Sequence, residues 1–319
     1  MRTDDDSWSI SDSVGATALM VAAVRAAESN RAAPLINDPY ARMLVADEGG
    51  GVFSSILDGS LTDRLAAKDP AAAAILSYME DYQAVRTHFF DTFFTEAAAV
   101  GIRQFVILAS GLDTRAYRLN WPQDAVVYEV DLPTVLEYKA SELASHGVYP
   151  RATVREVGVD LRDDWPTVLK QQGFDLSEPT AWLAEGLLMY LPGTAQDELF
   201  ELITESSGAG SRVAAEFIPY SDDERADQIR ELFIHLADDL GVEHIVFGFV
   251  ADTEGLTFRD PDRADLTGWL QDHGWGASSL PVTEEINRLG FAADESVSYG
   301  EDSFAYFVVG ERTGSHPRG

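Results

Sequence analysis

An α/β fold, with a mostly parallel sheet and helices on both faces, is the class this sequence predicts. Three observations predict it. The first hundred residues read as mainly helical, and the pattern changes at Gly101. From there short β-branched or apolar runs recur at 104–110, 125–131, 152–160, 179–186 and 211–218. Helical segments separate these five runs, which is how parallel strands are joined.

Taken in order, residues 13–30, "SVGATALMVAAVRAAESN", carry Ala, Leu and Val at helical spacing, and "NRAAPLINDPY" is a loop by its prolines and its Asn-Asp pair. Further helices are expected at 61–79 and 80–99, the second with aromatic residues on one face and Arg86 and Asp91 off it. After the fifth strand the segment 221–249 is too long for a plain crossover. It reads as an inserted helix with an apolar extension, part of a cap over about 221–260. A helix at 263–273, a strand near 275–281, a helix at 283–290 and a last strand at 302–311 follow, with "RTGSHPRG" a loose tail. The expected organisation is a helical layer or lid over 1–100 and a sheet domain over 101–319 with the cap inserted. No repeat or linker separates the two, so one structural unit is expected.

The chain has 319 residues, 45% of them hydrophobic, which supplies a large core. Its 23 Lys and Arg stand against 54 Asp and Glu, and the formal charge of −31 repels polyphosphate and anionic membranes. Nucleic acid and membrane are therefore not expected partners. The absence of cysteine removes disulfides, thiolate zinc sites and thiol nucleophiles. The N-terminus lacks the features of a signal peptide and no apolar run approaches the ~20 residues of a membrane span, so a soluble, cytoplasmic protein is expected.

Ligands of an open parallel sheet bind beyond the carboxyl ends of the strands, where the strand order reverses. Those ends carry Ser110 and Gly111, then Asp131, Asp160 and Glu185. Asp131 follows Gly111 by twenty residues, the ~20-residue interval at which an acid meets ribose hydroxyls. A helix N-cap before Pro133 explains Asp131 equally well. Asp160 repeats the pattern one strand on, where it can accept an adenine amine with Leu161 against the base; the alternative is a turn or cap acid among Asp160, Asp163 and Asp164. Together the two acids describe an adenosine pocket. "ASGLDTRAY" has one glycine where a dinucleotide fingerprint needs three, and no Gly-Lys-Ser/Thr, so it is not a phosphate loop. A ligand with adenosine and no phosphate, such as S-adenosylmethionine, fits better. No G-x-S-x-G elbow and no H-E-x-x-H pair is present, and no metal site is expected.

The segments "RTHFFD", "VILASGLDTRAYRL", "YEVDLP", "GVDLRDDW" and "AEGLLMYLP", in this order, resemble the S-adenosylmethionine-dependent methyltransferases of the leucine carboxyl methyltransferase superfamily. The bacterial branch related to polyketide O-methyltransferases is the more similar one, and the likeness covers nearly the whole chain. The resemblance implies a class I methyltransferase with a Rossmann-like sheet of seven strands, the last antiparallel, an N-terminal helical extension and a cap after the fifth strand. It also implies that Arg86 holds the methionine carboxylate, Gly111 lies under the methionine part, Asp131 binds the ribose and Asp160 with Leu161 the adenine. Glu185 would face the cofactor near its ammonium. As plain structural residues, Arg86 would pair with Asp91 or Asp81, Glu185 with a buried arginine, and Asp113 with Arg115.

The expected reaction is O-methylation of a carboxylate or hydroxyl of a small-molecule acceptor, with a protein carboxylate as the other acceptor class. His235 and His244 fall in the cap segment, but the sequence names no catalytic base. A binder of S-adenosylmethionine without turnover is the alternative, and a nicotinamide-dependent oxidoreductase is disfavoured by the missing glycines.

Overall fold

The computed structural model describes residues 14–45, 53–219, 224–248, 250–252, 255–291 and 303–313. The N-terminal part folds into α1 (Val14–Ser29), α2 (Ala41–Val45), α3 (Ser54–Leu57), α4 (Ser60–Lys68) and α5 (Pro70–Ala99). The two helices expected at 61–79 and 80–99 are divided elsewhere. The break lies at Asp69, whose carboxylate accepts the N–H groups of Ala71 and Ala72 at 3.0 Å each, with Pro70 at the first helical position. α5 then runs 30 residues without interruption, about 45 Å at 1.5 Å per residue.

The sheet region follows as β1 (Gln104–Leu108), α6 (Arg115–Arg118), β2 (Val126–Asp131), α7 (Pro133–Ser145), β3 (Thr153–Gly158), α8 (Trp165–Gln171), β4 (Thr180–Ala184), α9 (Gly193–Glu205) and β5 (Arg212–Phe217). After it come α10 (Glu224–Leu240), α11 (Leu266–Asp272), β6 (Trp275–Pro281), α12 (Val282–Arg288) and β7 (Tyr306–Arg312). The seven strands lie in the order β3-β2-β1-β4-β5-β7-β6; β1 to β5 are parallel, and β7 runs antiparallel to both β5 and β6. This is the topology that the resemblance implies. The last strand begins at Tyr306, later than expected, and the expected start at 302 lies outside the described residues.

Every residue of β1 and β4 is buried, because helices cover both faces. Alternation along β1 sends Phe105 and Ile107 into one core and Val106 and Leu108 into the other. The first core is shared with α1, α4 and α5, through Leu19, Leu65, Phe90 and Phe94 among others. The helical layer and the sheet thus have one continuous core. The second core lies under α8, α9 and α11, with Trp165 and Trp182 edge to face at 6.1 Å.

In the expected cap, α10 leads to a 3-10 turn at His244–Phe247, and Phe233 packs on Phe247 with ring centroids 5.0 Å apart. Lys68 pairs with Asp239 at 2.7 Å, tying α4 to α10. Residues 1–13, the start of the expected lid, and 314–319 of the tail lie outside the described residues. Among the described residues no helix is long and apolar enough to cross a membrane.

Candidate functional site

The strand order reverses between β1 and β4, so the loops after these strands open a crevice at their carboxyl ends. A cleft of about 1440 Å³ lies there, and Arg86, Gly111, Asp131, Asp160, Leu161 and Glu185 all line it. Gly111, Asp131, Asp160, Leu161 and Glu185 come to one site because β1 to β4 end on the same side of the sheet, and α5 brings Arg86 to them.

The loop after β1 turns sharply. Ala109 has φ +49° and Gly111 φ +45°, both in the left-handed region, where a non-glycine residue costs about 1–2 kcal/mol. Asp131 holds this turn. Its Oδ2 accepts the Gly111 N–H at 2.7 Å and its Oδ1 accepts the Leu132 N–H at 2.7 Å. The N-cap alternative is corrected: Leu132 occupies the cap position of α7 and no side chain caps it. Burial pushes the Asp131 carboxyl above its ordinary range, against the pull of those two N–H groups. α1 packs over the turn, so that a Cβ on Gly111 would come within 3.7 Å of the Ala18 Cβ.

Asp160 stands beyond the end of β3. Its carboxylate accepts the Arg162 backbone N–H at 2.9 Å and pairs with the Arg162 guanidinium at 2.7 Å, and the side-chain bond to Arg162 holds its pKa below the ordinary value. The capping role expected within this group of acids belongs to Asp164, which accepts the Thr167 N–H at the start of α8. Asp160 is thus a turn acid by its own contacts and a lining group of the cleft by its position. Leu161 is half-buried beside it.

Arg86 is almost fully buried on α5 and pairs with neither of the partners considered from sequence. Asp81 pairs with Arg31 and Asp91 with Arg115 and Arg118, whereas Arg86 meets Glu216 Oε2 at 2.9 Å and Glu185 Oε1 at 3.0 Å. The bond to Glu216 is aligned; the contact with Glu185 brings the charges together without directing the Nε–H at the oxygen. Burial works against the Arg86 charge and lowers its pKa, with Glu185 opposing. Among the described residues no hydrogen bond reaches Arg86 Nη2.

Glu185 gives its second oxygen to Arg115 Nη1 at 2.7 Å, so it is the buried partner of two arginines. Arg115 also binds Asp91 at 2.8 Å and Asp113, the ion pair expected from sequence. Burial disfavours the Arg115 charge, yet Asp113, Glu185 and Asp91 outweigh it and hold the guanidinium well above its ordinary pKa. Arg118 continues the chain to Asp91, and Thr114 to Asp38, which Arg25 of α1 binds at 3.0 Å. Arg25 Nη2 also donates to the Leu112 carbonyl at 2.7 Å. Alternating charges therefore fasten the N-terminal helices to the loop after β1.

Glu216, at the end of β5, was not singled out from sequence. Its signal was an acid inside the apolar run "RVAAEF", the same signal that marks Glu185. It accepts the Gly186 N–H at 2.8 Å, and Gly186 itself needs φ +61°. Burial pushes Glu216 up to about 8, the Gly186 N–H opposing. A folded-state pKa above the unfolded 4.5 means that its stabilising protonation is complete below pH 4.5 and is lost as pH rises through about 8. Glu216→Gln is therefore expected to gain stability relative to wild type between pH 5 and 8, by at most about 1.4 kcal/mol per pH unit. Urea melts across that range check it; a constant difference would mean that Arg86 keeps Glu216 ionised throughout.

Apolar parts of the wall come from Met20 and Met79 of the N-terminal layer, Leu191 and Phe217 at the sheet ends, and Ile229 and Val250 of the cap, while Glu198, Arg230, Asp252 and Arg263 line the cleft as well. No histidine is among the described residues lining it. His235 bonds the Glu231 carbonyl of its own helix and His244 bonds Asp238, both away from the cleft.

The donor set fits S-adenosylmethionine. Two carboxylates at the ends of β2 and β3 suit hydroxyl and amine donors, a guanidinium with a free Nη2 suits a carboxylate, and Asp113 and Asp131 beside the turn would repel phosphate. A family model described as leucine carboxyl methyltransferase matches residues 18–204. Among solved structures, an O-methyltransferase family protein from Burkholderia thailandensis is 12% identical, over 88% of this chain and 78% of that one, with TM-score 0.43. Magnesium protoporphyrin IX methyltransferase from Synechocystis PCC 6803, with bound S-adenosylhomocysteine, is 11% identical over 73% and 86%, with TM-score 0.42. Human N-acetylserotonin methyltransferase, in complex with S-adenosylmethionine, is 12% identical over 86% and 70%, with TM-score 0.39. These likenesses transfer no residue roles.

Proposed function

Because the chain belongs to the leucine carboxyl methyltransferase family, we propose that its cleft binds S-adenosylmethionine and that the protein methylates an oxygen of a small-molecule acceptor. The observation that carries this reading is the grouping of Asp131, Asp160 and Arg86 around the Gly111 turn in one cleft. Asp131 spends one N–H bond on each oxygen and keeps further lone pairs for ribose hydroxyls. Asp160 accepts the adenine amine with Leu161 against the base, and Arg86 directs Nη2 to the methionine carboxylate.

The bound cofactor supplies a methyl group already activated by its sulfonium. The residues of this chain then have to align the two reactants and exclude water. The apolar walls from α1, α5 and the cap serve that exclusion. A carboxylic acid, pKa ~4, arrives ionised at neutral pH, whereas a phenol, pKa ~10, gains from a base beside its oxygen. A carboxylate acceptor needs no such base, and an apolar body on it suits the wall that Met20, Met79, Ile229 and Val250 form.

The test is release of S-adenosylhomocysteine, followed by mass spectrometry, from S-adenosylmethionine and panels of apolar carboxylic acids and phenols. Turnover with members of the acid panel and none with the phenols is the expected result. Turnover confined to phenols would overturn the acceptor assignment, and tight cofactor binding with no turnover on any panel would leave a binding protein.

A further inference from the structure

Gln83 precedes Arg86 by three residues on α5, so the two side chains leave the same face of the helix, and both line the cleft. Gln83 is 3% exposed. Its backbone carbonyl accepts the Thr87 hydroxyl at 2.9 Å, but among the described residues no hydrogen bond reaches its side-chain amide, and Oε1 is buried without a partner. Buried amides are nearly always paired, because an unpaired one forfeits its hydration for nothing. An unpaired amide in the wall of a ligand cleft has its natural partner in the ligand.

The chemistry of that partner follows from the neighbours. Glu185, the residue expected beside the cofactor's ammonium, has one oxygen on Arg86 and the other on Arg115. Its charge is matched by two guanidinium groups before any ligand arrives. Arg86, in turn, carries Glu185 and Glu216 and has one amino group left over. A carboxylate placed at that group brings its α-ammonium into the same part of the cleft. A primary amide offers an acceptor and a donor side by side, and a zwitterionic amino acid offers the complementary donor and acceptor. Turning the amide by half a rotation exchanges its ends without losing this match.

We propose that Gln83 is a further cofactor-binding residue, whose amide holds the amino-acid end of S-adenosylmethionine beside Arg86, its oxygen accepting from the ammonium. The assignment rests on the reading that the cleft takes this cofactor. Glu185 then serves to position Arg86 and Arg115.

The experiment compares calorimetric affinities of S-adenosylhomocysteine and 5′-methylthioadenosine, which keeps the adenosine and sulfur but lacks the amino acid. Full-length wild type, Gln83→Leu and Gln83→Met are measured, the last keeping the length and unbranched shape of the side chain. S-adenosylhomocysteine is expected to weaken at least tenfold in both variants and methylthioadenosine to stay within twofold. The unliganded variants should melt at or above the wild-type temperature, since an unpaired buried amide has been removed. Wild-type-like affinity for S-adenosylhomocysteine in either folded variant, or equal weakening of both ligands, overturns the proposal. Failure of wild type to bind either ligand removes the cofactor reading itself, and the proposal with it.

Discussion

Arg115→Met is expected to lower the free energy of unfolding by about 3–5 kcal/mol, the range for removing one partner of a buried ion pair. Arg115 is 3% exposed and stands between Asp91, Asp113 and Glu185, all largely buried. Asp91 retains Arg118 and Glu185 retains Arg86, so neither is left alone. Asp113 is the group that loses most. Burial pushes its carboxyl up, and Arg115, with Lys139, brings it below the ordinary value. Without Arg115 that carboxylate must either stay charged in an apolar setting or take a proton. Urea melts at pH 7 should show the full loss, and the gap should narrow toward acid pH as the stranded carboxylates protonate. A loss below about 1 kcal/mol would mean that water reaches the network and screens it.

Asp131→Ala is expected to weaken S-adenosylhomocysteine by about 1–3 kcal/mol, on the order of 5- to 150-fold. Two effects add here. The ribose hydroxyls lose a charged acceptor, and the Gly111 N–H, 2.7 Å from Oδ2, loses the group that fastens the left-handed turn. Asp131→Asn keeps an amide oxygen for one N–H and removes the charge, so it should fall between alanine and wild type. Asp160→Ala should cause a loss shared by free adenosine, because the contact proposed for it is to the base. Calorimetric affinity of Asp131→Ala within error of wild type would leave Asp131 as a brace of the turn and nothing more.

The acids that end the strands are legible because a carboxylate closing an apolar run needs a specific partner there, whether a turn N–H, an arginine or a ligand. Asp131, Asp160 and Glu185 carry that signal, and Glu216 obeys the same rule. What escaped was pairing. The expected pairing of Arg86 with Asp81 or Asp91 rests on their shared helix, while its partners, Glu185 just after β4 and Glu216 on β5, are far away in sequence. The network of ion pairs and hydrogen bonds from Asp38 to Glu216 depends on the packing of the N-terminal layer across the sheet, which no local pattern encodes. Gln83 was invisible for a related reason: within α5 it is an ordinary helix former, and only its burial without a partner distinguishes it. The helix boundary, by contrast, was written in the Asp69–Pro70 pair, where periodicity alone led to a division ten residues later.

A cleft suited to adenosine joined to an amino acid and not to a phosphate should discriminate between nucleoside ligands. Thermal melting of the full-length protein with S-adenosylmethionine, S-adenosylhomocysteine or NAD tests it most directly. A ligand at a hundred times its Kd adds about 2.7 kcal/mol of stability, enough to raise the midpoint measurably. Both sulfur ligands are expected to raise it in a concentration-dependent way and NAD to leave it unchanged; stabilisation by NAD with no response to either sulfur ligand would contradict the account.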